Sequence, residues 1–74
     1  MKDLNINGIV YIRYNYNPET KHFKLCIVKK LNNEISDEDN FSICLAIICS
    51  IENLTDMESA VLLDKEGEVI VEIN

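Results

Sequence analysis

The sequence predicts a single α+β domain, spanning residues 1–74, with its elements in the order β-β-α-β-β. Three observations predict it: β-branched and aromatic residues are concentrated in the first half, an apolar stretch with helical spacing lies in the middle, and two short alternating stretches follow it. One helix packed on one face of a four-stranded, mostly antiparallel sheet would bury these surfaces in two layers. A chain of this length has a core that is marginal on its own.

The first two predicted strands are residues 8–16 and 22–29, joined by a turn at Pro18 and Glu19. Alternate side chains of a strand share a face, so the register must place both apolar sets on the same face of the hairpin. The predicted register is Tyr14 opposite Phe23, Ile12 opposite Leu25 and Val10 opposite Ile27.

The central helix is predicted over residues 37–54. Ser36 is a favourable N-cap, and the acidic residues 37–39 suit the positive end of the helix dipole. The stretch FSICLAIICSIENL is apolar over roughly 240° of the helical wheel, much wider than the stripe of an ordinary surface helix. A single sheet covers only one side of such a helix, so another surface is needed for the rest.

The wheel divides the apolar residues of this helix into two groups. The residues predicted to enter the core are Phe41, Leu45 and Ile48, and those predicted to lie on the flank are Ile43, Ile47 and Ile51. Large exposed apolar patches on small proteins mark interfaces. We expect the same helix of a second copy to cover this flank and form a homo-oligomer. The alternatives are wrapping by residues 30–36 and 54–59, or docking of a different protein.

The last two predicted strands are residues 60–64 and 68–73, with Gly67 at the positive-φ position of the hairpin loop. The residues expected to share one face are Val61, Leu63, Val69, Val71 and Ile73, with Leu62 and Ile70 on the other.

The cysteines Cys26, Cys44 and Cys49 predict buried structural thiols rather than a metal site. They are odd in number and lie in apolar runs, and the chain has no CxxC motif and a single histidine. Reduced thiols indicate a cytoplasmic protein, and no apolar run approaches the length that spans a membrane. With two glycines and no recognisable nucleophile and base, the chain is expected to be neither an enzyme nor a cofactor-binding protein.

The net charge of −6 is distributed unevenly along the chain. Residues 1–33 carry six Lys or Arg and two Asp or Glu, whereas residues 34–74 carry one Lys and eleven Asp or Glu. The acidic half contains two clusters that we predict to bind a partner: Asp37, Glu38 and Asp39 in the first, and Asp64, Glu66 and Glu68 in the second. Solvated acids at a helix start and a hairpin tip are the ordinary interpretation, and a surface that engages a basic groove is the functional one.

In size, charge and composition the chain resembles small acidic phage proteins that block nucleic-acid-binding enzymes, anti-CRISPR proteins among them. The resemblance implies an inhibitor that acts by occupying the surface of a host macromolecule. The Ile-, Asn- and Lys-rich composition is also typical of AT-rich genomes, such as those of low-GC bacteria and their phages.

The basic half offers a different interpretation. Tyr11, Arg13 and Lys24 are predicted to lie together on the outward face of the first hairpin, where cations beside an aromatic ring can bind single-stranded nucleic acid. The structural alternative is a charge ladder in which this face pairs with Glu68 and Glu72 of the second hairpin.

These observations favour a small cytoplasmic protein-interaction module, self-associating, that inhibits another macromolecule, as a phage or mobile-element protein would. A nucleic-acid-binding regulator that uses the basic hairpin is the first alternative, and a structural or assembly subunit is the second. Steep loss of affinity with salt would distinguish nucleic-acid binding from protein binding.

Overall fold

The computed structural model of the chain describes residues 2–73, which form one α-helix and a single sheet of five strands. The elements are β1 (Lys2–Ile6), β2 (Val10–Asn17), β3 (His22–Lys30), α1 (Asp37–Ile51), β4 (Ser59–Leu63) and β5 (Val69–Ile73). The strands lie across the sheet in the order of the chain. The α+β class is confirmed, but the prediction of four strands is wrong by one strand within the described residues.

The additional strand is β1, which pairs antiparallel with β2. Asn7 and Gly8 turn the chain between them with φ of 50° and 72°, the positive values at both central positions that a type I′ hairpin turn requires. The Asn5 side chain accepts a hydrogen bond from the Gly8 backbone N–H at 2.9 Å. Because Lys2 and Asp3 are polar, the apolar alternation of β1 is short, and the sequence analysis missed this strand. The Asn-Gly dipeptide that follows it was the signal that could have revealed it.

The β2–β3 register differs from the predicted one by two residues. The observed pairs are Tyr16 with Phe23, Tyr14 with Leu25 and Ile12 with Ile27. A shift of two keeps every side chain on its predicted face, so the alternation of apolar residues could not choose between the two registers. The observed register shortens the loop, and it brings the rings of Tyr16 and Phe23 to a centroid distance of 4.6 Å.

The sheet is mixed because α1 connects β3 to β4. β4 pairs parallel with β3, and the other neighbouring strands pair antiparallel. A helix that returns the chain to the starting end of the sheet places the next strand parallel to the one before it. The C-terminal ends of β3 and β4 therefore lie at the same end of the sheet as the start of α1. The candidate site lies at this end of the fold.

A register shift between Leu62 and Leu63 places some side chains of the last hairpin on a different face of the sheet from the one predicted. Leu62 pairs with Val71 and is buried, whereas Val61 pairs with Glu72 on the other face. The prediction that Val61 and Val71 share a face is wrong, because an irregularity of this kind resets the alternation along one strand.

The core lies between α1 and one face of the sheet. The buried apolar side chains are Ile6, Val10, Ile12, Tyr14, Phe23, Leu25, Ile27, Phe41, Cys44, Ile48, Ala60 and Leu62. The helix contributes Cys44 at its centre, whereas Leu45, which was predicted to be in the core, is only partly buried. The face of α1 that packs against the sheet is thus rotated slightly about the helix axis from the predicted face.

The apolar flank of α1 is narrower than the sequence suggests. The helix ends at Ile51 rather than residue 54, and the connection that follows packs Leu54 and Met57 against the core. Ile43 and Ile47 are also partly buried there, whereas Ile51 is 59% exposed. The Tyr16 hydroxyl donates to the Asp56 carbonyl at 3.0 Å and helps to hold this connection in place.

Asn40 is the buried polar residue of the core and gives a direct test of the packing. Neither its amide nitrogen nor its amide oxygen has a hydrogen-bond partner among residues 2–73. Such a group costs about 1–3 kcal/mol, so we expect Asn40→Leu, which keeps the branched side-chain skeleton, to raise the free energy of unfolding by up to about that amount, measured in urea. The exposed Ser42→Leu is the control for helix propensity. A lower free energy of unfolding for Asn40→Leu would contradict the claim that the buried Asn40 amide lacks a hydrogen-bond partner.

Candidate acidic binding surface

The two acidic clusters predicted from the sequence meet at one end of the fold. Asp37 begins α1, and Asp64 and Glu66 follow β4. All three line one concavity of about 490 Å³. The other lining residues are Ile27, Lys29, Lys30, Asn33, Lys65 and Ile70. We call the residues Asp37, Glu38, Asp39, Asp64, Glu66 and Glu68 the acidic end.

Two carboxylates of the acidic end have structural roles. Asp64 Oδ1 accepts the backbone N–H groups of Glu66 and Glu68, each at 2.9 Å, and so fixes the β4–β5 turn. Gly67 has φ of 84° in this turn, as predicted. Asp37 Oδ1 accepts a hydrogen bond from Lys30 Nζ at 3.3 Å. These two acids are therefore needed to build the surface and are poor targets for testing its function.

The other four carboxylates, those of Glu38, Asp39, Glu66 and Glu68, are exposed and form no ion pair within residues 2–73. The Ser36 hydroxyl accepts the Asp39 backbone N–H at 3.2 Å, which confirms the predicted N-cap and starts α1 beside the concavity. The Lys and Arg partners in the described ion pairs lie mostly elsewhere. The acidic end therefore carries an excess of uncompensated negative charge.

The concavity itself is balanced in charge. Lys29, Lys30 and Lys65 line it together with three carboxylates. Within residues 2–73, no group of three or more His, Cys, Asp or Glu side chains has the arrangement that could hold a metal ion. The surface thus consists of a cleft lined by lysines and carboxylates, with the exposed acids Glu38, Asp39 and Glu68 outside its lining.

Tyr11, Arg13 and Lys24 lie on the face of the sheet opposite α1, as predicted. The predicted charge ladder with Glu68 and Glu72 is wrong, because β4 separates β3 from β5. Arg13 instead binds Asp3 of β1 through Nε–Oδ1 at 2.7 Å and Nη2–Oδ2 at 3.2 Å. This bidentate contact raises the pKa of Arg13 and lowers the pKa of Asp3.

His22 and the three cysteines were the other side chains considered as candidate ligands or nucleophiles. His22 Nδ1 lies 2.6 Å from Ser59 Oγ and links the starts of β3 and β4. Cys26, Cys44 and Cys49 are free thiols, and Cys44 is buried as predicted. The prediction of burial is wrong for Cys26 and Cys49, which are only partly buried. Burial raises the pKa of Cys44 to about 11, which suppresses its thiolate at neutral pH.

A second polar cluster, which sequence reasoning missed, lies at the C-terminal end of α1. Glu52 Oε1 accepts hydrogen bonds from the Tyr14 hydroxyl and from Lys2 Nζ, both at 2.7 Å. These residues line a concavity of about 280 Å³. The hydrogen bond from Lys2, followed by that from Tyr14, lowers the pKa of Glu52. Glu52 interrupts the apolar side of the helix, and that interruption was the available signal.

Tyr14 is expected to make the free energy of unfolding fall at alkaline pH. Burial, and then the hydrogen bond to Glu52, raises its pKa from 10.0 to about 12. Its contribution is complete below the lower value and is lost as pH rises through the upper one, because the folded state holds the proton more tightly. We expect Tyr14→Phe to remove this part of the alkaline loss in urea denaturation. Tyr11→Phe is the control that keeps it, and identical pH profiles for the wild type and Tyr14→Phe would contradict the account.

No helix within residues 2–73 has both the length and the apolar character needed to cross a membrane. Comparison with protein-family models finds no match, and no curated protein or solved structure matches the chain. The functional interpretation therefore depends on the geometry and charge of the chain itself.

Proposed function

We propose that the protein is a small protein-interaction module whose acidic end binds a basic surface of another protein. The observation that carries this proposal is the convergence of residues 37–39 and 64–68 at one end of the fold. The parallel pairing of β3 with β4 produces this convergence, because it brings two clusters that are distant in sequence to the same end of the sheet. Complementary charge accelerates association and selects the partner.

The distribution of ion pairs supports the acidic end over the basic hairpin. Lys2 pairs with Glu52, Arg13 with Asp3, Lys21 with Asp56 and Lys30 with Asp37. Most of the basic half is therefore neutralised within the chain, whereas four carboxylates of the acidic end are not. The negative field that remains favours a cationic partner such as the nucleic-acid-binding groove of an enzyme. Occupying that groove would make the protein an inhibitor of the kind found in phages and mobile elements.

The open face of the sheet favours a second candidate function, the binding of single-stranded nucleic acid. Lys24 and Lys29 are exposed there beside Tyr11 and have no ion pair among residues 2–73. Because Arg13 is held by Asp3, only two lysines are free to contact phosphate. Self-association through α1 has a smaller surface than expected, because Ile43 and Ile47 already pack against the core and only Ile51 is exposed.

Affinity capture from a low-GC bacterial lysate, followed by mass spectrometry, tests the proposal with matched surface variants. One variant carries Glu38→Lys, Glu66→Lys and Glu68→Lys, which leave the structural acids Asp37 and Asp64 in place. The other carries Tyr11→Ala and Lys24→Glu on the open face, away from the concavity. We expect the open-face variant to capture the same protein as the wild type, and the acidic-end variant to associate about tenfold more slowly or not at all.

The opposite result would favour the second function. If the acidic-end variant behaves like the wild type and the open-face variant loses its ligand, the basic face is the binding surface. Nuclease treatment of the captured material, and a steep fall in affinity with salt, would then identify nucleic acid as the ligand.

A further inference from the structure

The outer edge of β5 is an unpaired strand that the proposed function does not yet use. β5 is the last strand of the sheet, and no strand lies on its outer side within residues 2–73. Val69 is 57% exposed and Ile73 is 42% exposed on this strand. Proteins usually protect an edge strand with charges, proline or a covering segment, because its free backbone groups pair readily with another strand.

The opposite edge of the sheet shows the usual protection. β1 carries Lys2 and Asp3, and both side chains are held in ion pairs, with Glu52 and Arg13 respectively. β5 carries a single charged residue, Glu72, among four apolar ones. The two edges therefore differ in kind, and β5 is the one whose backbone and side chains suit the addition of a strand.

Charge decides which strand fits. Glu66 and Glu68 precede β5 and Glu72 lies within it, whereas residues 66–73 contain no Lys or Arg. A second copy would place the same carboxylates against each other, and each copy has a net charge of −6. A segment in which Lys or Arg alternates with apolar residues would satisfy both the exposed valine and isoleucine and the neighbouring acids.

We propose that β5 binds an extended basic segment of a partner protein as an additional strand of the sheet. Main-chain hydrogen bonds would supply affinity, and the alternating side chains of the segment would supply specificity. Apolar side chains of the segment lie beside Val69 and Ile73, and its cations lie near Glu68 and Glu72. The proposal rests on the proposed function, since it specifies how the acidic end meets its basic partner.

The experiment uses a short blocked peptide of alternating lysine and valine as the probe. The first control peptide has the same composition with alternate backbone nitrogens methylated, which keeps the charge and removes strand pairing. The second has glutamate in place of lysine. Amide hydrogen exchange by NMR locates the contact. We expect the alternating lysine–valine probe to slow exchange along residues 69–73 by about tenfold or more. Neither control peptide should slow exchange there.

Matched variants of the protein complete the test. Val69→Lys puts a cation on the edge, and Ile51→Lys makes the same change in charge at a helical site that is 59% exposed. We expect Val69→Lys to lose the protection and Ile51→Lys to keep it.

Equal binding of the methylated peptide would overturn strand addition while leaving the acidic end as the binding surface. Failure of every basic peptide would count against the proposed function as well. Wild-type dimers, absent in Val69→Lys, would assign the edge to a second copy instead and overturn the proposal.

Discussion

Replacing Ile48 by aspartate is expected to unfold the domain. The Ile48 side chain is 0% exposed and lies between α1 and the sheet. The substitution removes apolar burial that is worth about 2–5 kcal/mol in comparable core truncations. It also places a carboxylate at a fully buried position, at a further cost of several kcal/mol. A typical domain has only about 5–15 kcal/mol of stability, so circular dichroism should show the loss of the folded state.

The matched control is Ile51→Asp, the same substitution one turn further along α1. Ile51 is 59% exposed, so its carboxylate would remain in water. Aspartate near a helix C-terminus is unfavourable to the dipole, and we expect a loss of no more than about 1 kcal/mol. If both variants fold, or if both unfold, then the face of α1 that packs against the sheet is not the one described.

Truncation of Phe23 to alanine is expected to have the next largest effect. Phe23 is fully buried at the start of β3, where its ring contacts that of Tyr16. Loss of a buried phenylalanine ring and the cavity that remains cost about 3–5 kcal/mol in well-packed cores. Urea denaturation should show this as a lower midpoint with an unchanged slope.

Lys24→Ala provides the comparison, because Lys24 is the next residue and lies on the open face of the same strand. We expect its free energy of unfolding to stay within about 0.5 kcal/mol of the wild-type value. A loss as large as that of Phe23→Ala would mean that the open face is covered in solution, which the two-layer arrangement does not allow.

Local signals predicted most of the elements. Ser36 caps α1 as expected, since a hydroxyl before three acidic residues satisfies a backbone donor. The faces of β2 and β3 also follow the sequence, because apolar alternation fixes which side is buried. The register does not, since a shift of two residues leaves the faces unchanged. β1 was missed because its apolar pattern is confined to Leu4 and Ile6, although the Asn-Gly turn after it is a strong hairpin signal.

The candidate site was predicted as parts rather than as a whole. The sequence indicates both acidic clusters, but their convergence depends on β4 lying parallel to β3, which no local pattern specifies. The partner of Arg13 was wrongly assigned for the same reason, since Asp3 becomes its neighbour only when β1 joins the sheet. The cluster of Tyr14, Glu52 and Lys2 likewise joins three distant segments.

Hydrogen–deuterium exchange of the protein, alone and bound to the partner that the wild type captures, tests the central claim most directly. Because the proposed binding surface is the acidic end, we expect slower exchange at residues 37–39 and 64–69. Exchange around Tyr11 in β2 and Lys24 in β3 should be unchanged. Slower exchange confined to the open face of β2 and β3, with the acidic end exchanging as in the free protein, would contradict it.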